Sequence, residues 1–384
     1  MKDLRITAGF LPLLDSLLLV IAREKGLAAA QGIDLALVRE TSWANIRDRV
    51  SVGHFDVAHM LGPMPIAANL GLSPIAVPLV APITLGLGGN AITVSMNLWR
   101  QMLEAGATGS VDPGPSGRAL RKVVDTGGKR LRFAVTHPYS GHNYELRYWL
   151  AASGISPGRD VEIVILPPPL MADALAAGTV DAYCVGEPWN SVGVASGAGR
   201  IVAVKARIWT NSPDKVLGAS KRWTEQNPEA LAALLRALYS ASLWCAEPAN
   251  HAEAAAILGG TAYLDKPSGL VLRGLSGRLE LLRGDVVRVP GFFEPNAHSA
   301  TFPWITHALW YYSQMVRWGD VAHSPASAEL AASSYRPDLY RAAIAPFGAA
   351  LPTTDRKVLE ADVFFDGVPF DPAQLEAYIG QQRD

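Results

Sequence analysis

Residues 4–38 read LRITAGFLPLLDSLLLVIAREKGLAAAQGIDLALV, and this stretch decides the fold. Residues 4–8 form a β-rich run, residues 16–30 have the apolar pattern of a helix, and residues 35–38 form a second β-rich run. A strand, a helix and a strand in this order make a βαβ unit. The alternation continues with helices and strands at residues 43–52, 55–59, 63–70 and 75–78. The sequence therefore predicts an α/β fold with a mostly parallel sheet.

A glycine-rich stretch at residues 86–90 interrupts this alternation, and a loop rich in Gly, Pro and Ser follows at 106–117. Strand–helix alternation restarts near residue 131, and after about residue 215 the pattern is chiefly helical. We predict two lobes, with lobe 1 formed by residues 1–90 and 216–384 and an inserted α/β lobe 2 at residues 91–215. The two chain crossings between the lobes form a hinge, and a ligand would bind in the cleft.

The composition is that of an ordinary globular protein with balanced charge. Thirty-four Lys and Arg residues oppose 35 Asp and Glu residues, and no Lys/Arg-rich run occurs. We therefore expect no direct nucleic-acid partner. The apolar stretch at residues 11–22 contains Pro12 and Asp15 and is too short to span a bilayer, so we expect no membrane insertion. The sequence opens on a strand pattern without a secretory leader, which favours a cytoplasmic location.

The sequence lacks the motifs of the common enzyme classes. It contains no Walker A sequence, no HExxH and no GxSxG elbow, and the glycines at residues 86–89 lack the spacing of a dinucleotide fingerprint. Cys184 and Cys245 have no metal-type spacing and are interpreted as buried small hydrophobes. We expect a protein that is not an enzyme and that uses no cofactor or metal.

Four segments place candidate anion donors near the predicted cleft. Gly89 and Asn90 lie at the junction into lobe 2, and His142 opens a helix after a strand. Gly186 follows a further strand, and Lys215 lies near the return crossing. Helix N-termini and glycine N–H groups suit an anion, and a lysine neutralises its charge. Each segment also has a plainer interpretation: a hinge turn, a helix cap, core packing or a solvated surface charge.

Three further side chains are predicted to form a dry wall around a weakly hydrated ion. They are Trp43, Met60 and Tyr139. Aromatic rings and a thioether exclude water without offering charge, which suits an ion that gives up its hydration shell readily.

Seven segments carry a resemblance to a known family, and the VGEPWN run at residues 185–190 is the most specific. The others lie at residues 42–48, 63–65, 89–92, 146–150, 214–218 and 303–307. Together they resemble the nitrate- and bicarbonate-binding proteins of ABC transporters, over most of the chain. The resemblance implies a two-lobed, periplasmic-binding-protein-like fold of type II, in which His142, Gly186 and Lys215 help to bind the anion.

Two departures from the family pattern concern the anion pocket. A glutamine of the transporter proteins corresponds to the region of Gly89 and Asn90, and their pocket tryptophan falls near residues 59–61, where this chain has none. Nitrate is planar, singly charged and weakly hydrated, so one lysine and a few neutral donors suffice. Bicarbonate carries its own proton donor and calls for a carboxylate such as Glu187. The sequence leaves nitrate, nitrite and bicarbonate open.

Without a leader, the sequence looks most like the cytoplasmic nitrate sensors of the same family. These sensors hold an RNA-binding antiterminator inactive until nitrate or nitrite arrives. We therefore expect an antiterminator-type regulatory protein partner, released when the anion shifts the lobes toward a closed state. The alternatives are the substrate-binding component of a nitrate or bicarbonate importer, a binder of a sulfonate or thiamine precursor, and an enzyme with a reactive His142.

Overall fold

The computed structural model describes residues 4–382, which form two lobes built on two five-stranded sheets. In chain order the strands are β1 (Leu4–Phe10), β2 (Ile33–Arg39), β3 (Val57–Leu61), β4 (Leu79–Thr84), β5 (Leu87–Gly88), β6 (Asn90–Ser95), β7 (Leu131–Val135), β8 (Val161–Ile165), β9 (Ala182–Gly186), β10 (Gly199–Val204), β11 (Lys215–Ser220), β12 (Arg278–Leu282), β13 (Asp285–Arg288) and β14 (Phe293–Glu294). The helices are α1 (Leu17–Glu24), α2 (Trp43–Ser51), α3 (Pro63–Asn69), α4 (Met96–Glu104), α5 (Pro113–Thr126), α6 (Gly141–Ala152), α7 (Met171–Ala176), α8 (Trp189–Ala195), α9 (Lys205–Ile208), α10 (Lys221–Gln226), α11 (Pro228–Ala246), α12 (His251–Gly259), α13 (Ser268–Ser276), α14 (Ile305–Arg317), α15 (Pro325–Ser333), α16 (Pro337–Ile344) and α17 (Leu375–Gln381).

The first sheet has the strand order β2-β1-β3-β11-β4, and the second has the order β10-β6-β9-β7-β8. Strand β1 runs parallel to β2 and β3, and β7 runs parallel to β8 and β9. However, β11 is antiparallel to both of its neighbours, and so is β6. In each sheet four strands run in the same direction and one strand, β11 or β6, runs against them, so the prediction of a mostly parallel sheet for β1 to β4 is confirmed. The reversed strand of the first sheet lies at the crossing, because the chain leaves this sheet along β4 and returns antiparallel to it along β11.

Helix α1 ends at Glu24, short of the predicted residue 30, and proline explains two other boundaries that differ from the sequence-based prediction. The strand expected at residues 75–78 begins instead at Leu79, directly after Pro78. Helix α5 begins at Pro113, inside the predicted loop 106–117. Proline lacks a backbone N–H and therefore suits the position just before the first hydrogen-bonded residue of a strand. It also suits the first turn of a helix, where the N–H groups have no intrahelical partner.

The first crossing between the lobes is a tight backbone junction at Gly88 and Gly89. Both residues have positive φ, at 76° and 84°. The N–H of Gly89 donates to the carbonyl of Phe292 at 2.6 Å, and the N–H of Gly88 donates to Ser212 at 2.9 Å. Asn90 begins the second sheet and Lys215 begins the returning strand of the first. The predicted lobe boundaries, residues 90/91 and 215/216, stay a prediction.

Substituting Gly88 by alanine is expected to destabilise the protein by about 3 kcal/mol, since two costs add. A side chain at positive φ costs about 1 kcal/mol, and the new Cβ would overlap the carbonyl oxygen of Phe292, which adds about 2 kcal/mol. Gly26→Ala is the matched control, because Gly26 has φ 68° and nothing within 4 Å of the added Cβ. Urea unfolding measures both variants, and equal losses would contradict the close-contact argument.

A C-terminal segment crosses back over the end of the second lobe. Phe364 forms an isolated β-bridge with Trp209, and its ring stacks on the Trp209 ring at 5.4 Å between centroids. The hydroxyl of Tyr148, on α6, donates to Asp366 at 2.6 Å. The two lobes are therefore joined by this segment as well as by the two crossings.

Two negative findings apply to the described chain. No helix between residues 4 and 382 is both long and apolar enough to cross a membrane. Within the same residues, no group of three or more His, Cys, Asp or Glu side chains is arranged to hold a metal ion.

Candidate functional site

The candidate site lies between the lobes, where the ends of three strands meet. Asn90 begins β6 and Gly186 ends β9, and the two residues are partners in the strand register. Lys215 begins β11, where its partner is Leu61 of β3. A Cβ atom added to Gly186 would lie 3.2 Å from Asn90 Oδ1 and 3.5 Å from Asp15 Oδ2. The topology thus gathers residues far apart in the sequence around one point in the cleft.

Lys215 is the central cation of this site, and its side chain is fully buried. Its Nζ donates to Asp15 Oδ2 at 2.9 Å and makes a second hydrogen bond to Asp214. Burial would lower the pKa of Lys215, but the two carboxylates raise it above its ordinary value. The lysine is therefore charged, and since an ammonium group has three N–H donors, one remains for a ligand.

His142 lies in the first turn of α6, facing Asp214. Ser140 caps the helix by accepting the N–H of Asn143 at 3.0 Å. Nδ1 of His142 lies 3.2 Å from Thr136 Oγ1, and Nε2 lies 3.7 Å from Asp214 Oδ2. Burial lowers the pKa of His142 to about 3, so the ring is neutral. When the Thr136 hydroxyl donates to Nδ1, the hydrogen sits on Nε2, which has no hydrogen-bond partner among the described residues and is free for a ligand.

A second buried ion pair, Lys205 with Glu145, borders the first. Nζ of Lys205 lies 2.7 Å from Glu145 Oε1 and 3.6 Å from Asp214 Oδ1. Burial raises the pKa of Glu145 to about 7. Burial would also raise the pKa of Asp214, but Lys205 and Lys215 hold it well below its usual range. Asp214 therefore stays ionised and joins the two lysines into one network.

The wall of the site beside Lys215 is formed by Trp43 and His59. The Trp43 ring packs edge-on against His59 at 5.2 Å between centroids, and Lys215 Nζ lies 5.6 Å from the Trp43 ring centroid. The Nε1 of Trp43 is buried and has no hydrogen-bond partner within residues 4–382. His59 lies in the stretch, residues 59–61, near which the resemblance placed a tryptophan, and Trp43 of α2 brings an indole ring beside it.

The cleft is closed around this network. The N–H of Leu14 donates to the carbonyl of Glu187 at 2.8 Å, and Trp189 Nε1 donates to the carbonyl of Pro12 at 3.1 Å. These bonds join the N-terminal segment of the first lobe to the turn after β9 in the second. Asn90 is fully buried, and both polar atoms of its amide lack a partner in the described chain. Unpaired buried amide and ring N–H groups around a lysine are the donor set for a small anion.

Three of the residues predicted for the site lie elsewhere or are already engaged. Met60 points to the opposite face of β3 from His59, because side chains alternate along a strand, and a Cβ at Gly218 would meet its Sδ at 2.6 Å. The N–H of Gly89 is used by the Phe292 carbonyl, so it is not free for an anion. Tyr139 is half-buried and packs on His137 at 5.8 Å between ring centroids, outside the Lys215 network.

Five residues of the network were missed by the sequence-based reasoning. They are Asp15, His59, Glu145, Lys205 and Asp214. Two of them left a usable signal: Asp15 is the one charge in the apolar stretch 11–22, and Asp214 adjoins Lys215 in an otherwise apolar segment. The remaining three carry no signal that separates them from ordinary polar residues of a helix or strand.

Comparison with known proteins places this geometry in a family. The sequence profile of the NMT1-like family matches residues 2–259. The chain belongs to the NMT1-like family. It is 34% identical over 388 aligned positions to the nitrate/nitrite binding protein NrtA of Synechococcus elongatus, covering 97% of the chain and 85% of that relative. Within the NMT1-like family it is thus of the nitrate- and bicarbonate-binding type, as the sequence predicted.

Two solved structures agree on the fold. The crystal structure of the periplasmic nitrate-binding protein NrtA from Synechocystis matches with a TM-score of 0.92 and 26% identity, covering 100% of this chain and 99% of that one. The alkanesulfonate-binding protein SsuA from Xanthomonas axonopodis matches with a TM-score of 0.56 and 17% identity, covering 82% of this chain and 95% of that one, and shares the fold alone. The prediction of a two-lobed, periplasmic-binding-protein-like α/β fold is confirmed.

The same comparisons correct two predictions. The expectation of a cytoplasmic sensor that controls an antiterminator partner is wrong, because the NrtA relatives from three cyanobacteria are named as nitrate/nitrite binding proteins. The cytoplasmic location is overturned by the match to a periplasmic protein over the whole chain. Both expectations were drawn from the first residues of the sequence rather than from the cleft, and the cleft residues do not distinguish sensing from transport.

Proposed function

We propose that this protein is the substrate-binding component of an ABC importer and that it binds nitrate or nitrite in the cleft between its lobes. The observation that carries the proposal is Lys215, buried between the lobes with the unpaired donors of Trp43, Asn90 and His142 around it. One cation and a few neutral N–H donors match a small, singly charged, planar oxyanion. The NrtA relatives are named for nitrate and nitrite, which supports the same ligands here.

Hydrogen carbonate is the second candidate, and Asp15 is the observation that favours it. The carboxylate of Asp15 lies within 3.5 Å of the Cβ position above Gly186 and can accept a hydrogen bond from the O–H of a protonated ligand. The bicarbonate transport ATP-binding protein CmpC of Synechococcus elongatus is 33% identical, covering 99% of this chain and 55% of that relative. The proposed role is binding without turnover, since the NrtA relatives are named as binding proteins.

Calorimetric titration of the full chain tests this proposal. Nitrate or nitrite is expected to bind with micromolar affinity at one site per chain, and sulfate is expected not to bind, because its second negative charge has no cation in the cleft. Stronger binding of hydrogen carbonate than of nitrate would select the second candidate. No heat with nitrate, nitrite or hydrogen carbonate at millimolar concentration would overturn the proposed function.

Trp43→Phe is expected to weaken nitrate binding about fivefold, since it removes the Nε1 donor and keeps the ring. A neutral hydrogen bond contributes about 1 kcal/mol, and about 1.4 kcal/mol corresponds to tenfold in affinity. Trp304→Phe is the matched control, because its Nε1 is also unpaired in the described chain while its ring packs on Phe302 at 4.8 Å, away from Lys215. An equal loss of nitrate affinity in both variants, measured by the same titration, would show that Trp43 Nε1 does not bind the anion.

A further inference from the structure

The charges buried in the closed cleft do not compensate the negative charge of a bound anion. Two lysines, Lys205 and Lys215, face three carboxylates, Asp15, Glu145 and Asp214. The side chains of all five are at most 5% exposed. The cluster is therefore neutral when Glu145 is protonated, and negative when it is not.

The two histidines of the cleft do not change this balance. Burial lowers the pKa of His142 to about 3 and also lowers the pKa of His59, despite its contact with Asp15. Both rings are therefore neutral at physiological pH. A bound nitrate adds one negative charge to a site that water does not reach, and uncompensated buried charge is strongly unfavourable. Nitrate carries no proton of its own, so the protein must supply the compensation.

We propose that oxyanion binding in this cleft takes up one proton and that Asp15 is the residue that accepts it. The inference rests on the proposed function and deepens it. Asp15 competes with the anion for Lys215: its Oδ2 is 2.9 Å from Lys215 Nζ and flanks the space above Gly186. When the anion takes the lysine N–H, Asp15 loses the interaction that keeps it ionised, and its protonated oxygen can donate a hydrogen bond to the anion.

The surroundings of Asp15 favour it over the neighbouring acceptors. Its other oxygen, Oδ1, lies 2.9 Å from His59 Nε2. Nδ1 of His59 accepts the N–H of Leu11 at 3.4 Å, so the ring holds its hydrogen on Nε2, toward Asp15, and has no free position for a second proton. Burial would raise the pKa of Asp15, but Lys215 and His59 hold it below its usual range. Loss of the lysine contact leaves burial as the dominant influence and favours the protonated acid.

The other titratable groups facing Asp15 are less suited to this role. Asp214 keeps Lys205 when the anion engages Lys215, so it stays ionised. His142 has no cationic contact to lose on binding. Glu145 is the competing acceptor because its pKa is about 7, but its partner is Lys205, with 2.7 Å between Nζ and Oε1. Its protonation is therefore expected to respond weakly to the anion.

Proton linkage of nitrate binding is the test. With one proton taken up, affinity is expected to rise about tenfold for each unit of pH decrease between about pH 7.5 and 5.5. Direct measurement with a pH electrode in weakly buffered solution should show close to one proton absorbed per nitrate bound to the wild-type protein. This second measurement depends on no variant. A pH-independent affinity with no proton uptake would overturn the inference while leaving the proposed function intact.

Two variants test whether Asp15 or Glu145 accepts the proton. Asp15→Asn removes the charge and keeps a polar side chain, so nitrate affinity should become independent of pH and exceed the wild-type value at pH 7.5. Glu145→Gln should keep the wild-type slope. A slope that persists in Asp15→Asn and disappears in Glu145→Gln would overturn the assignment to Asp15. Absence of nitrate and nitrite binding at every pH would overturn the proposed function and this inference together.

Discussion

Replacing Lys215 by methionine is expected to weaken nitrate binding by about 100-fold or more. Methionine keeps the unbranched length of the side chain but removes the one cation whose third N–H is free for the ligand. A hydrogen bond to a charged group contributes up to about 3 kcal/mol, and about 1.4 kcal/mol corresponds to tenfold. The substitution also leaves Asp15 and Asp214 buried beside an uncharged side chain. Unfolding free energy should therefore fall by about 3 kcal/mol.

Two further variants separate the loss of binding from the loss of stability. Lys221→Met alters a lysine of α10 whose side chain is 54% exposed, so neither quantity should change measurably. The double variant Lys215→Met/Asp15→Asn removes one of the stranded carboxylates, so it should recover part of the stability, while its nitrate affinity stays well below the wild-type value. Calorimetric titration and urea unfolding measure the two effects. Nitrate affinity within threefold of wild type in Lys215→Met would show that Lys215 is not the anion's cation.

Replacing Trp209 by alanine is expected to cost about 4 kcal/mol of unfolding free energy, the largest stability effect that we predict. Trp209 is 1% exposed, and its ring lies 4.3 Å from Trp310 and 5.4 Å from Phe364 between centroids. The same region binds the C-terminal segment, because the N–H of Thr210 donates to the carbonyl of Val363 at 2.8 Å. Amide hydrogen exchange at residues 363–365 should therefore accelerate together with the loss of stability.

Trp244→Ala is the control for the size of the residue removed. Trp244 is only half-buried, on α11, where Lys25 Nζ lies 5.1 Å from its ring centroid. Its loss should cost about 1 to 2 kcal/mol and leave exchange at residues 363–365 unchanged. Equal losses in the two variants would mean that the aromatic cluster around Trp209 contributes nothing beyond ordinary burial.

The buried ion network has a cost that argues for its role in ligand binding. Replacing a buried ion pair by well-packed apolar residues is often neutral or stabilising. Two lysines and three carboxylates in one cleft are therefore a poor way to hold two lobes together. A site that must desolvate an anion, and take up a proton as the anion binds, requires charges already placed in the cleft.

The sequence predicted the fold better than the site. Alternating β-rich and helical runs, with the helical C-terminal part, were enough for two α/β lobes. The apolar pattern of the sequence did not predict the direction of β11, because the side-chain periodicity of a strand is the same whether its neighbour is parallel or antiparallel. Lys215, His142, Gly186, Asn90 and Trp43 do gather near one point, and their role in binding stays a prediction. These residues were selected because they lie at predicted strand ends and helix starts, where backbone and side-chain donors face a ligand.

Local sequence determined the elements and the places where the chain turns, since periodicity, proline and glycine act within a few residues. Only the tertiary structure decided which partners each charge has. Lys215 meets Asp15 across 200 positions of sequence. The strand register directs the side chain of His59 toward Asp15 and that of Met60 to the opposite face of β3. The N–H of Gly89 donates to the carbonyl of Phe292 and is therefore not available to a ligand. These outcomes depend on contacts between distant segments, which local pattern does not encode, and they determine the charge that an anion meets in the cleft.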